Sequence, residues 1–257
     1  MMDIYFDEIN ESVENEFDKY FSLINVIGSG SYGTVIHAIY LVNNEEVAVK
    51  VVNKYSNKEK DFSKLKQEVI ILKQLKHKHI IEFKHFIETK GKIYIIMEYI
   101  QGGTLKDYIE LRKKTNNMFK EEEVSIFMKN LLEAVAHLHE QEIVHRDIKP
   151  ENILIKDHND LGSIKLVDFG LSAQYFEQKE EFAFCGTLIF MAPEQIGKKF
   201  YSKTIDIWSC GIIMFILLNF GVHPLYIKGD TKNVYIDKLK NPKCRFSFKI
   251  SKYSYLK

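Results

Sequence analysis

Apolar positions in the first hundred residues recur mostly with the period of a strand. Residues 24–28 and 34–40 flank a glycine-rich stretch, 47–52 is β-branched and 93–97 is an apolar run, so each predicts a strand. Between the last two, residues 62–75 carry Leu65, Val69, Leu72 and Leu75 at helical spacing and predict one helix set among the strands. Beyond Met97 the period changes. Residues 105–111, 121–140 and 204–220 predict helices, with short strands near Ile153 and Lys165. The pattern therefore describes a β-rich part followed by an α-rich part, joined over 98–103, where Gly102 and Gly103 end the strand and are expected to supply flexibility.

Composition agrees with that division. The chain has 257 residues, 46% of them apolar and 28% charged, enough for a sizeable core and for one large or two small domains. Its formal charge of +1 conceals an acidic start: the first sixteen residues contain Asp3, Asp7, Glu8, Glu11, Glu14 and Glu16 and no lysine or arginine. Residues 1–19 read as a solvated acidic lead-in to the first strand. They lack the basic start and apolar centre of a secretory signal, and Met2 stands where N-myristoylation needs glycine. Cys185, Cys210 and Cys244 are odd in number and widely spaced, which fits reduced thiols in a cytoplasmic or nuclear protein. The most apolar segment, 207–218, is too short to span a bilayer and follows Asp206, so it predicts a buried core helix. The expectation is a monomer that engages neither membrane nor nucleic acid.

The chemistry lies in two strings. His145–Asn152 reads HRDIKPEN, and Asp168-Phe169-Gly170 follows at the end of an apolar run. Phosphoryl transfer needs a carboxylate near the attacking hydroxyl and hard oxygen ligands for a cation on the phosphates, and these strings supply both. Any one aspartate would more often be a turn residue or a loop cap; their joint spacing reverses that preference. Asp157 to Asp168 has the register of a calcium loop, but Leu161 occupies a ligand position and a bidentate glutamate is lacking, so a β-turn is the better reading.

Upstream, Gly28-Ser29-Gly30-Ser31-Tyr32-Gly33 lies between two strands, where a side chain would hinder approach of backbone N–H groups to phosphate. Because 34–36 continues as a strand and not a helix, the hexad differs from a dinucleotide-binding turn.

With these motifs in order, the chain resembles the eukaryotic protein kinases from about Tyr20 to about Lys257. It is similar to the serine/threonine type, and HRDIKPENIL and DFGLS are closest in flavour to the calcium/calmodulin-dependent group. The resemblance implies an α+β, bilobal fold: a β-rich N-lobe over 20–97, a hinge over 98–103, and an α-rich C-lobe over 104–257 that is truncated at its C-terminal end. It implies ATP and Mg²⁺ as cofactors and protein substrates with Ser/Thr acceptors; an upstream regulator is left open. Asp147 would take or orient the substrate proton, Lys149 would contact the γ-phosphate, and Asn152 and Asp168 would hold the metal. Lys50 would grip the α- and β-phosphates when paired with Glu68. Ile27, Gly28, Ser29, Gly30 and Gly33 would cover the nucleotide. Val35, Ala48 and Leu154 would sandwich the adenine, Met97 would guard the deeper pocket, and the backbone from Glu98 to Ile100 would meet the adenine edge. Thr187 would support the catalytic aspartate.

Several positions depart from the family's pattern. Ala183 stands at the position of an activation-loop phosphothreonine. Glu177, Glu180 and Glu181 lie nearby, so Arg146 is expected to find a carboxylate without modification, with Ser172, Tyr175 and Thr187 as the hydroxyls that an upstream kinase could otherwise modify. Thr104 replaces a substrate-reading glutamate, leaving Glu151 and at most a weak basic preference. Glu194 would lack the arginine that partners it in the family. The competing readings are a kinase-like scaffold or inactive fragment that binds nucleotide without transfer, and a small-molecule kinase, which would not carry Cys185-Gly186-Thr187 or Ala192-Pro193-Glu194.

Overall fold

A computed structural model describes residues 14–29, 33–55, 63–174, 185–196 and 202–241. The chain divides into two units, one within residues 1–76 and 81–100, the other within 77–80 and 101–257.

The first unit contains α1 (Glu14–Tyr20), β1 (Phe21–Ser29), β2 (Thr34–Tyr40), β3 (Glu45–Asn53), α2 (Ser63–Gln74), β4 (Phe83–Glu88) and β5 (Lys92–Glu98). Its strands form an antiparallel sheet in the order β1-β2-β3-β5-β4. Hairpin connections place β1, β2 and β3 side by side, and the helix between β3 and β4 lets β5 take the place beside β3. The expected acidic lead-in is corrected from Glu14 onward. There the chain is helical, and Phe17 is buried with its ring stacked on Phe21 at 4.7 Å and on Tyr94 at 4.1 Å, within a core shared with Ala38, Val47, Val49 and Ile96. An apolar residue inside an acidic run was outvoted by its neighbours in composition, whereas burial of one aromatic ring outweighs them in energy. Strand β4 was not anticipated, because Phe83, Phe86 and Ile87 put apolar side chains on both faces and blur the two-residue period.

Gly33 has a reason to be glycine that differs from phosphate access. A Cβ on it would stand 2.1 Å from the carbonyl oxygen of Val51, so the turn into β2 closes against the backbone of β3.

The second unit contains α3 (Leu105–Lys114), α4 (Glu121–Glu140), β6 (Ile143–Val144), β7 (Ile153–Asp157), β8 (Asp160–Leu166), β9 (Ala173–Gln174), α5 (Thr204–Leu218) and α6 (Lys232–Lys240). Thr104 caps α3 through a reciprocal pair with Asp107, and α4 turns Val124, Phe127, Met128, Leu131, Ala134, Val135 and Leu138 inward. Strands β7 and β8 form a hairpin in which Asp157 and Asp160 accept the turn's own N–H groups from Asn159 and Gly162, as the β-turn reading required. Helix α5 is buried around most of its circumference. It ends at Leu218, two residues before the expected end, because Asn219, at φ −120° and ψ 45°, has already left the helical region, and Phe220 follows at φ 58°. Helix α6, which buries Tyr235 and Leu239, was not anticipated, since Val234, Tyr235 and Ile236 stand consecutively in a short polar segment and blur the helical period.

Residues 77–80 lie between α2 and β4 in sequence yet pack with the second unit. The His79 carbonyl accepts from Leu166 N–H at 2.8 Å, His79 Nδ1 lies 3.3 Å from the Ile164 carbonyl oxygen, and the His77 ring stacks on His137 at 5.1 Å.

Gly102 corrects the expectation of flexibility. Its missing Cβ would stand 2.0 Å from the Ile155 carbonyl oxygen, so glycine permits a fixed close approach between the chain entering α3 and β7. Gly102→Ala is expected to lower stability by about 1–3 kcal/mol, whereas Gly28→Ala, whose Cβ would meet only the Val35 side chain at 3.7 Å, should leave the urea midpoint unchanged.

Candidate active site

The HRDIKPEN stretch is shaped by one buried acid in α5. Asp206 is 1% exposed, and its two oxygens accept the backbone N–H groups of Arg146 and His145, each at 2.9 Å, with His139 Nε2 also at 2.9 Å. Arg146 is thereby held at φ 70°, a conformation that a side-chain-bearing residue adopts at a cost. The His145 ring adds a second brace: Nδ1 accepts Asp147 N–H at 3.3 Å, and Nε2–H donates to the Val167 carbonyl at 3.1 Å.

Asp147, 7% exposed, is the centre of the resulting network. Oδ1 accepts from the Thr187 N–H and hydroxyl, each at 2.9 Å. Oδ2 accepts from Lys149 Nζ at 2.6 Å and Asn152 Nδ2 at 3.1 Å, while Asn152 Nδ2 also reaches the Asp147 carbonyl at 2.9 Å. Lys149 Nζ further donates to Thr187 Oγ1 at 2.9 Å, so that lysine, threonine and aspartate close a ring of charge-assisted bonds. Asp168 follows Val167, whose N–H donates to the Asn152 carbonyl at 3.0 Å. It has φ 64° and an exposed carboxylate, whereas Phe169 next to it is buried with its ring 5.0 Å from that of His145. The second unit thus brings together Asp147, Lys149, Asn152 and Thr187, and ties the strand leading to Asp168 to the same turn.

In the first unit Lys50 Nζ meets both oxygens of Glu68, at 2.7 and 2.8 Å, with Glu68 3% exposed. Leu65, Val69 and Leu72 face inward from α2 and fix which side of the helix this carboxylate occupies. Gly28 pairs with Val35 and Ser29 with Thr34 across β1 and β2; Ile27 and Ser29 are exposed, and Gly30 lies outside the described residues. Val35 pairs with Lys50, and Ala48 with Met97, across adjoining strands of the sheet. Ala48 and Ile100 are buried, and Met97 and Glu98 are half-buried. Glu98 N–H donates to the Glu82 carbonyl at 3.0 Å and its Oε1 accepts from Glu82 N–H at 2.7 Å, so of the 98–100 backbone that donor is committed within the unit. In the second unit Leu154 is half-buried and bridges to Thr104.

The activation-loop expectations divide. Glu177, Glu180, Glu181, Ala183 and Tyr175 lie outside the described residues. Ser172 does not fit a modification site: it is buried, and its hydroxyl donates to the His145 carbonyl at 3.4 Å. The Arg146 guanidinium donates through Nε to the Leu171 carbonyl. Glu194 is half-buried, and Thr204 Oγ1 donates to it at 3.5 Å.

This geometry coincides with similarity along nearly the whole chain. Residues 21–254 match the family described as the Protein kinase domain. The chain belongs to the protein kinase family. Among its relatives, serine/threonine-protein kinase 33 of Mus musculus is 37% identical over 238 residues, covering 89% of this chain and 47% of that protein. Ribosomal protein S6 kinase alpha-6 of Danio rerio is 37% identical over 82% of this chain and 28% of its own length. A probable myosin light chain kinase of Dictyostelium discoideum is 38% identical over 83% of this chain and 43% of its own length. The chain thus spans between about a quarter and a half of the length of these relatives.

Two roles in this kinase domain had no signal in the sequence alone. Asp206 is legible as the head of an apolar helix, but not as the acceptor for the backbone of His145 and Arg146. His223 had no reading at all, yet its Nε2–H donates to the Ile189 carbonyl at 2.7 Å, and its Nδ1 accepts Leu225 N–H at 3.1 Å and Tyr226 N–H at 2.8 Å. Tyr235 hydroxyl donates to the same carbonyl at 2.8 Å, so His223 and Tyr235 together fix the stretch that follows Thr187. Burial holds the His223 imidazole down to about 4, against the opposing pull of the Ile189 carbonyl. Burial also lowers His79, and burial with the charge of His137 lowers His77.

Each of these rings folds neutral and must take up a proton as the chain unfolds below pH 6.5, so their contribution is fully present above that pH and is lost on acidification. Between pH 6.5 and 4 the loss through His223 is about 3 kcal/mol. Melting temperatures taken across that window are expected to fall, and to fall less in His223→Gln, which already lacks the titrating group.

Proposed function

We propose that this domain transfers the γ-phosphoryl group of ATP, with Mg²⁺, to serine or threonine hydroxyls of protein substrates. The observation that carries the reading is the Asp147 network, in which the carboxylate accepts hydrogen bonds from Lys149, Asn152 and Thr187. Asp147 is braced to orient the acceptor hydroxyl and take its proton. Lys149 adds a cation whose position is set by Asp147 and Thr187, which suits it to negative charge developing on the transferred group. The Lys50–Glu68 pair aims an ammonium for nucleotide phosphates.

The donor set fits magnesium. Asp168 offers an exposed carboxylate and Asn152 an amide, both hard oxygen sources, and among the described residues no group of three or more His, Cys, Asp or Glu is arranged to hold an ion by itself. That pattern suits a cation shared with substrate phosphates. When bound, magnesium supplies neutralisation of phosphate charge.

The Lys149–Thr187 bond supports serine or threonine as acceptors, in line with the printed names of serine/threonine kinases among the relatives. Work as a monomer in the cytoplasm is part of the same proposal, resting on the scattered cysteines and the balanced charge. Transfer of labelled γ-phosphate to a mixed peptide library, with phosphoamino-acid analysis, tests the reading. Mg²⁺-dependent phosphoserine or phosphothreonine is the expected product. Folded, ATP-binding protein that transfers nothing, or that makes only phosphotyrosine, overturns it.

A further inference from the structure

The charges around Asp147 are almost all committed inward. Lys149 is held by Asp147 and Thr187, and Arg146 donates to the Leu171 carbonyl. Apart from the exposed carboxylate of Asp168, the exception is a pair at the solvent edge of the same turn. Glu151 lies between Lys149 and Asn152, and its Oε1 meets Lys106 Nζ at 3.1 Å, with the lysine side chain 58% exposed and the glutamate 41% exposed. The other carboxylate oxygen, Oε2, is shielded from solvent and has no hydrogen-bond partner among the described residues. Of its two oxygens, Glu151 therefore presents to solvent the one that Lys106 already holds. The outward charge at this edge is the ammonium.

An extended peptide advances about 3.4 Å per residue, so side chains within three or four positions of an acceptor placed at Asp147 pass within roughly 10–14 Å of that carboxylate, and Glu151, four residues along the same turn, carries Lys106 with it. A basic side chain arriving there has to compete with Lys106 for the Glu151 carboxylate, whereas an acidic one meets an exposed cation.

We propose that Lys106 is a specificity-determining residue: by covering Glu151 it makes the domain disfavour basic residues beside the acceptor and favour acidic or neutral ones. The inference rests on the serine/threonine kinase reading above. It replaces the weak basic preference expected from Glu151 alone. Lys106 takes no part in the transfer itself, and its exposure makes it replaceable without harm to folding.

An exposed ion pair is worth up to about 1 kcal/mol, or about fivefold, and salt screens it, so the measurement belongs at low ionic strength. A positional peptide library with a central serine or threonine is phosphorylated by the wild type and by Lys106→Ala, Lys106→Glu and the double variant Lys106→Ala/Glu151→Gln. The wild type is expected to prefer acidic over basic residues by about twofold to fivefold at one or more positions within four of the acceptor. Lys106→Ala should shift those positions towards arginine and lysine by about fivefold and Lys106→Glu by more, while turnover of an uncharged peptide stays within about twofold; the double variant should lose the charge preference. A wild type that selects basic residues, or a Lys106→Ala profile identical to wild type with transfer intact, overturns this inference and leaves the kinase reading standing. Absence of transfer to every peptide by every variant overturns both.

Discussion

Asp147→Asn is expected to bind ATP as the wild type does and to transfer phosphate about 10²–10⁴-fold more slowly. In the proposed reaction the removed carboxylate would orient the acceptor hydroxyl and receive its proton. The geometry adds a second loss. All four groups around the Asp147 oxygens are donors: the Thr187 N–H and hydroxyl on one oxygen, Lys149 and Asn152 on the other. An amide NH₂ must therefore face at least two of them, and that corner of the network has to open. Thr187→Val separates the two effects. It keeps the carboxylate and the backbone bond to it, but loses the hydroxyl that links Lys149 to Asp147, so its rate should fall less than that of the asparagine variant. Single-turnover rates with saturating ATP, alongside nucleotide affinity, check the prediction; an Asp147→Asn rate within threefold of wild type would remove Asp147 from its proposed role.

The second large effect is one of stability. Asp206→Ala leaves the N–H groups of His145 and Arg146 buried without acceptors, at about 1–3 kcal/mol each, and removes what holds Arg146 in its positive-φ conformation. Against the 5–15 kcal/mol that domains typically possess, this is a severe loss. Urea unfolding should show a midpoint well below wild type with an unchanged slope. Asp206→Asn keeps one acceptor oxygen and should fall between the two. If the alanine variant unfolds with the wild-type midpoint, the loop's shape is held by other contacts.

Much of the fold was legible because its signals are local. Helical spacing of Leu65, Val69 and Leu72 placed α2 and the inward face on which Glu68 sits, and the change from a two-residue to a helical period after Met97 located the passage from sheet to helices. The helical period over 121–140 placed α4, which runs from Glu121 to Glu140. The misses came where the deciding contact is distant or the local pattern is mixed. Phe17 lies in an acidic run, but its ring packs on Tyr94, and β4 carries apolar residues on both faces.

The same distinction holds at the site. The chemical groups and their order are readable from the residues alone: HRDIKPEN, Asp168-Phe169-Gly170, a lysine ending a β-branched run, and a glutamate on the following helix. These are properties of short strings, and short-range spacing suffices to recognise them. How those groups are held, and which are committed, depends on the fold: Lys50 to Glu68, Asp147 to Thr187, the 145–146 backbone to Asp206, Ile189 to His223, and Glu151 to Lys106. A hydrogen bond requires donor and acceptor within about 3 Å, and only the folded backbone brings together residues that stand tens of positions apart in the chain.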